Sequence, residues 1–343
     1  MSNQGAPILT EPSISFLAGA QIYSGLRKSV VDRNILKRAY GYYFVLSILT
    51  FTGFFFSAYI LFVNNSPAAF IFWMTVFIIF SIQIAGLFHD AGHRAIFKSV
   101  LANDILGYFV GTISNIDFGY WKDKHNRHHA NPNEIDEDPD IDVPFISFTV
   151  RKKQGNFLEK SLLKYQEVLY FPVILLSLFH IKYKSFLFLK ARFDPGKAWK
   201  MLLFLTGLFF WYVFPFLVLP SGKALLLILI SNLGIGFYLA NIFAPNHKGM
   251  PQIKKGTKMS FLERQIITAR NISSNPVLDI FYIGLNYQIE HHLFPDCPRN
   301  KLRLITPYVK EICKEKNLEF SQVGIIETNR IILKELGEIA ATA

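Results

Sequence analysis

Histidine is the commonest metal ligand among side chains, and this chain gathers eight of its nine histidines into three clusters and a singleton. The clusters are His89-Asp-Ala-Gly-His93, His125-Asn-Arg-His128-His129 and Gln288-Ile-Glu-His291-His292, and the singleton is His247. His89 and His93 stand four apart, which on a helix puts both on one face with about 5–6 Å between Cβ atoms. His125, His128 and His129 follow i, i+3, i+4 spacing, so all three can face one point. Gln288, His291 and His292 repeat that spacing with glutamine in the first place. His180 stands apart and reads as an ordinary surface or core histidine.

Eight imidazoles exceed the needs of one ion, since a zinc-type site takes four ligands, or three and a water. Two metals, each with about four protein ligands and an open position, match the count. A nitrogen-rich set suits iron, copper, nickel or zinc alike. Substrate chemistry at an apolar surface with two redox-active metals points to oxygen activation, for which iron is the natural choice. Carboxylates can accept the second ring N–H of each ligand and hold its tautomer; Asp90, Asp138, Asp140 and Glu290 are the candidates. No catalytic residue beyond the metal centre is expected, and no organic cofactor site.

The elements that must position these ligands are long apolar runs. Residues 41–63, 68–88, 201–220 and 224–245 contain no charged side chain, and each run is roughly 20 residues long. At about 1.5 Å per residue each can cross a hydrocarbon core of about 30 Å. This predicts four transmembrane helices in two hairpins, with turns at Asn64-Asn65-Ser66-Pro67 and Ser221-Gly222-Lys223. The first run is too long for a signal-peptide core and predicts a retained anchor. Arg27, Lys28, Arg33, Lys37 and Arg38 precede it and the first turn is uncharged, which places the N-terminus in the cytoplasm. With four crossings, the segment between the hairpins and the C-terminal region are cytoplasmic too, so all eight clustered histidines fall on one side.

Net charge is +11, read first as this topology signal. No basic face interleaved with stacking aromatics stands apart from the membrane flanks, so nucleic acid is not the expected partner. Cys297 and Cys313 make no Cys-x-x-Cys pair, which leaves disulfide, thiolate-zinc and iron–sulfur readings unsupported. The apolar run 168–181 is short for a span and reads as interfacial or re-entrant. Lys182, Lys184, Lys190 and Arg192 beside it are expected to snorkel toward headgroups. The expected organisation is a cytoplasmic N-terminal segment (1–40), a first transmembrane hairpin (41–88), cytoplasmic or interfacial helices with two histidine clusters (89–200), a second hairpin (201–245) and a cytoplasmic cap (246–343). The fold class is an all-α integral membrane protein, with a helical cap that holds a dimetal site.

The three boxes, the third continuing as His291-His292-Leu-Phe-Pro, resemble those of membrane fatty acid desaturases over roughly residues 40–320. Glutamine at the head of the third box is similar to the front-end subgroup, which places a new double bond between an existing one and the carboxyl end. The resemblance implies that His89, His93, His125, His128, His129, His291 and His292 are ligands of two iron ions (Fe2+/Fe3+), with O2 as co-substrate. His247 resembles the extra ligand after the fourth span in the acyl-CoA branch. Gln288 stands at the family's remaining ligand position, with Asn241 and Asn246 as candidates for a water-mediated contact. Many eukaryotic front-end enzymes carry a fused haem domain with a His-Pro-Gly-Gly motif. This chain has no such motif, so electrons are expected from a separate small cytochrome or ferredoxin.

The implied reaction removes one hydrogen from an unactivated methylene of a fatty acyl chain, then its neighbour, giving a cis double bond. The acyl group arrives on coenzyme A or in a lipid. The protein's part is positional, holding one C–H pair at a near-attack distance of about 3–3.5 Å. The implied location is the bacterial inner membrane or the endoplasmic reticulum, depending on source. A related di-iron lipid hydroxylase or sphingolipid-type desaturase shares the same boxes. Metal transport needs polar residues along a membrane path, and the four runs hold only Gln83, Asn232 and Asn241 as notable ones.

Overall fold

The computed structural model describes residues 6–143, 145–149 and 157–342. In chain order the helices are α1 (Phe16–Asp32), α2 (Tyr40–Val63), α3 (Pro67–Gly92), α4 (Val100–Ser114), α5 (Phe118–Ala130), α6 (Phe157–Lys164), α7 (Gln166–Leu175) and α8 (Ser177–Ala191). Then come α9 (Ala198–Leu208), α10 (Phe214–Val218), α11 (Ser221–His247), α12 (Phe261–Ile267), α13 (Pro276–Phe281), α14 (Gln288–Leu293), α15 (Thr306–Lys316) and α16 (Ile325–Thr342). The chain forms two compact units, each assembled from separated stretches. The first takes residues 1–37, 124–173 and 241–343, and the second takes 38–123 and 174–240. The central segment 89–200 is thus shared between them.

Among the described residues, four helices are long and apolar enough to cross a membrane: Tyr40–Val63, Pro67–Gly92, Pro195–Val218 and Ser221–His247. They match the four uncharged runs. The run 168–181 is instead broken at Leu176 into α7 and α8, of 10 and 15 residues. Within the second unit the spans leave large apolar side chains such as Phe44, Leu49, Ile71, Leu202 and Leu217 exposed. Surfaces of that size and polarity need an apolar solvent. Ser66 caps α3 by accepting from the Ala69 amide, with Pro67 at the first helical position, where a missing N–H costs nothing. Lys223 ties the two hairpin turns together, donating to the carbonyls of Phe62 and Asn64 at 3.1 and 2.9 Å.

The third span is not a uniform helix. Residues Phe209–Val213 form a π turn between α9 and α10, and Pro215 lies just beyond it. Proline lacks the N–H that the preceding turn needs and its ring crowds the carbonyl four residues back, which is a recognised origin of such bulges. The wider turn carries Trp211 and Tyr212, whose partners are specific. Trp211 Nε1 donates to the Ile113 carbonyl at 2.6 Å. Gly207, one turn earlier, lies so close to α4 that a Cβ would stand 2.3 Å from the Thr112 carbonyl oxygen, so no side chain fits there.

Lys182 departs from the snorkelling expectation. It is buried, donating to Asn232 Oδ1 at 2.9 Å and to the Tyr212 hydroxyl at 3.3 Å. Its Nζ stands 3.8 Å from the Trp211 ring centroid. A ring face attracts a cation and two oxygens satisfy its donors, so this lysine turns inward while its neighbour Lys184 stays exposed. Asn103, an apparent interruption of α4, likewise folds back, taking the Phe97 amide and donating to the carbonyls of Phe97 and Ser99.

The first unit has a conventional core. Leu26 and Val30 of α1 pack with Leu262 and Ile266 of α12, Ile289 and Leu293 of α14, and Val309 of α15. Two-residue strand pairs stitch distant stretches: Ile8 and Leu9 run parallel to Gln252 and Ile253, and Asn271 and Ile272 parallel to Gln322 and Val323. Glu335 of α16 is buried at 4% exposure. Burial pushes its carboxyl up to about 7, against the pull of Lys248 and the backbone N–H groups of Ala6 and Gly249. Because the folded value lies above the unfolded one, stability is greatest below about pH 4.5 and falls as pH rises toward 7. At about 1.4 kcal/mol per unit the loss reaches about 3 kcal/mol. Glu335→Gln is therefore expected to raise the thermal midpoint at pH 8 and leave it unchanged at pH 4. A parallel scan of both proteins in detergent checks this, and equal midpoints at pH 8 would refute it.

Candidate metal centre

Helix α5 carries His125, His128 and His129 in the first unit. His247 ends α11, and α14 carries Gln288, His291 and His292. All are drawn together around two points. At one, His247 Nε2 lies 3.3 Å from His128 Nε2, 3.1 Å from His292 Nε2 and 2.9 Å from Gln288 Nε2. At the other, His129 Nε2 lies 3.2 Å from His125 Nε2 and 3.1 Å from His291 Nε2. The His129 and His292 rings stack at 4.1 Å between centroids, joining the two groups.

The opposite ring nitrogens explain this orientation. His128 Nδ1 faces both oxygens of Asp138 at 2.9 and 3.0 Å. His247 Nδ1 faces the Thr268 carbonyl at 2.9 Å, and His292 Nδ1 faces Gln265 Oε1 at 2.8 Å. Each acceptor holds the proton on Nδ1, which turns the Nε2 lone pair inward. Three inward lone pairs at these separations repel unless a cation lies among them. With metal–nitrogen bonds of about 2.0–2.1 Å, ligands on one ion stand about 2.9–3.4 Å apart, from right-angled to tetrahedral. The observed separations fall in that interval, so the donor set fits a metal ion.

The local field also favours a cation. Burial alone pushes the His128 imidazolium toward neutrality, yet the charge and hydrogen bond of Asp138, with Asp140, outweigh it and raise its pKa despite Lys124. Burial opposes ionisation of Asp138 as well, and His128 and Lys248 hold it below the usual carboxylate range despite Asp140. Asp140 is held low in the same way, against burial, by Lys124, His128 and Lys248. It pairs with Lys124 and stands 3.6 Å from His128 Nδ1.

His89 and His93 close α3 in the second unit, with ring centroids 4.8 Å apart. Asp90 supports that pair: its Oδ1 lies 3.1 Å from His89 Nδ1 and its Oδ2 accepts from the Tyr43 hydroxyl at 2.7 Å. Glu290 departs from expectation. Its carboxylate accepts from Asn271 Nδ2 at 2.8 Å, and among the described residues it meets no ligand imidazole; burial raises its pKa. It braces α14 from behind rather than tuning a ligand. The acceptors that the sequence left unmarked are Gln265 and Thr268, three apart at the end of α12. Nothing in a glutamine and a threonine at that spacing announces the role.

Gln288 faces the same point as the imidazoles, and its Oε1 accepts from Asn246 Nδ2 at 3.0 Å. Asn246 thus orients Gln288 while also bonding the carbonyls of Ile242 and Leu285. Asn133, in the left-handed region at φ 53°, donates to the His247 carbonyl at 3.0 Å. Its own amide donates to Asp138 at 2.8 Å. One residue therefore links the two elements that supply His128 and His247.

A family model described as fatty acid desaturase matches residues 64–324. Acyl-lipid (9-3)-desaturase of Physcomitrium patens is 34% identical over 281 residues, covering 76% of this chain and 51% of its own. Delta(6)-fatty-acid desaturase fat-3 of Caenorhabditis elegans is 31% identical over 276 residues, 75% of this chain and 62% of its own. Delta 8-(E)-sphingolipid desaturase of Komagataella phaffii is 29% identical over 281 residues, 76% of this chain and 52% of its own. The chain thus spans between about half and three fifths of the length of these relatives.

Proposed function

The chain belongs to the fatty acid desaturase family, and from that premise we propose that it is an oxygen-dependent acyl desaturase, placing a cis double bond in a membrane-borne fatty acyl chain. The observation that carries the reading is the convergence of His128, His247 and His292 through Nε2, each held by a different acceptor at Nδ1. His125, His129 and His291 form the second position, which we complete with His89 and His93. Two irons suit this nitrogen-rich set, and when bound they supply the activation of O2. The overall balance is one –CH2–CH2– unit, O2, two electrons and two protons giving one –CH=CH– unit and two waters. The electrons come from a carrier protein, and the metal-bearing face is cytoplasmic by the charge rule.

The chain's own residues orient and hold charge. Asp138, Thr268 and Gln265 fix ligand tautomers, and Asn133 and Asn246 fix the ends of α5, α11 and α14 around them. The front-end placement rests on Gln288 at the head of the third box and on the names of the Delta(6) and (9-3) relatives. The sphingolipid relative makes a ceramide-linked chain the second reading. Expression in a bacterial host with a compatible donor, followed by mass-spectrometric mapping of double bonds in free fatty acid, phospholipid and sphingoid fractions, tests all of this. A new cis alkene in an acyl chain is expected. A product with added oxygen and no new alkene would replace the reading with hydroxylation, and a new alkene confined to the sphingoid fraction would replace the substrate.

A further inference from the structure

The proposed reaction consumes two electrons from outside, and a surface that receives them is required only if that reading holds. One face of the first unit leads inward to His292 by two short routes. Phe261 opens α12 and is 41% exposed. Tyr23 of α1 meets its ring edge-on, with centroids 4.8 Å apart, and reaches Phe294 at 5.8 Å. The Tyr23 hydroxyl donates to the Leu293 carbonyl at 2.9 Å, and Leu293 is covalently next to His292. The second route runs along α12. Gln265 lies one turn beyond Phe261 and takes the His292 Nδ1 proton at 2.8 Å, while its Nε2 donates to the His129 carbonyl at 3.0 Å. An exposed ring is therefore connected by one aromatic contact, and by hydrogen-bonded and covalent links, to a ligand of the metal centre.

The rim of this face is basic. Arg27 is exposed and its charge acts on the Tyr23 hydroxyl. Lys28 on α1 and Lys258, three residues before Phe261, are also exposed. The acids on these elements include Asp32, exposed one turn from Lys28 on α1, Asp296, beside Tyr23, and Glu134, which is buried in a pair with Arg264. An apolar centre inside a positive rim suits a transient electron-transfer encounter, which uses a small contact area and relies on charge for speed of association.

We propose that the face around Phe261, Tyr23, Arg27 and Lys258 is the landing surface for an acidic one-electron carrier protein, with Tyr23 and Gln265 conducting to the metal held by His292. With iron bound by these ligands, each docking would oxidise the carrier by one electron and would reduce the centre by one electron, so two visits would supply one turnover.

The test uses the metal-loaded protein in detergent, with two acidic carriers as probes: a plant-type [2Fe–2S] ferredoxin and a soluble b-type cytochrome domain. Carrier binding is titrated at low and high salt. Reduction of the metal centre is followed optically by stopped flow without acyl substrate, driven by reduced carrier or by dithionite. Arg27→Glu with Lys258→Glu is expected to weaken carrier binding at least about tenfold at low salt and to flatten its salt dependence. Phe261→Ala is expected to slow carrier-driven reduction about tenfold. Dithionite-driven reduction stays unchanged in both. The proposal is overturned if neither carrier reduces the wild-type centre, if charge reversal leaves binding intact, or if dithionite reduction falls equally. Since no acyl substrate is present, these outcomes stand apart from whether an alkene is ever formed.

Discussion

A chain carrying His292→Ala will bind about one metal ion fewer per molecule and lose alkene formation by more than about a hundredfold. Changes to residues behind a ligand already cost about 10–100-fold, and His292 is placed as a ligand itself. The imidazole is 1% exposed, stacked on His129 at 4.1 Å and bonded to Gln265. Its removal takes one Nε2 from the His247 point and strands the Gln265 amide oxygen, at a cost of about 1–3 kcal/mol. Helix α14 lies outside the four spans, so membrane insertion is expected to survive. Metal analysis of purified protein, with product mapping on the same preparation, checks both halves. Undiminished metal content would remove His292 from the ligand set.

The second large effect is expected at Asp138. Its carboxylate accepts from His128 Nδ1 at 2.9 and 3.0 Å, and from the amides of Asn133 and Asp140 at 2.8 Å each. Asp138→Ala leaves two buried donors and one part-buried donor without their acceptor. Each costs about 1–3 kcal/mol, and because they share one site the total is set near about 3 kcal/mol rather than their sum. Asp138→Asn keeps an oxygen for one or two of these amides but withdraws the negative charge behind His128. The two variants separate the roles. Both are expected to weaken metal binding about 10–100-fold in chelator competition, while only the alanine variant shows a markedly lower thermal midpoint. Wild-type metal affinity in Asp138→Asn would mean that geometry alone, and no charge, is what Asp138 supplies.

The parts legible in the sequence were those written in local periodicity. Uncharged runs of span length reappear as the four long apolar helices, because a bilayer demands that length whatever the neighbours are. The i, i+3, i+4 spacing of His125, His128 and His129 states that they share a face, and α5 presents them so. Periodicity is silent about what a face meets. Lys182 reads as a snorkelling flank because its partners, Asn232 and Tyr212, lie 50 and 30 residues away. Gln265 and Thr268 escaped notice for the same reason, since their meaning depends on where α14 and α11 end. Glu290 misled by adjacency: successive residues on a helix diverge by about 100°, so the acid next to His291 turns to Asn271 instead.

The inward lysine also constrains the order in which the molecule can be built. A lysine at the centre of a bilayer costs about 2.5–3.5 kcal/mol during insertion, and α8 carries Lys182, Lys184 and Lys190. The groups that satisfy Lys182, on the π turn and on α11, are made later in the chain. The contacts that bury Lys182 are therefore complete only once synthesis has passed Asn232.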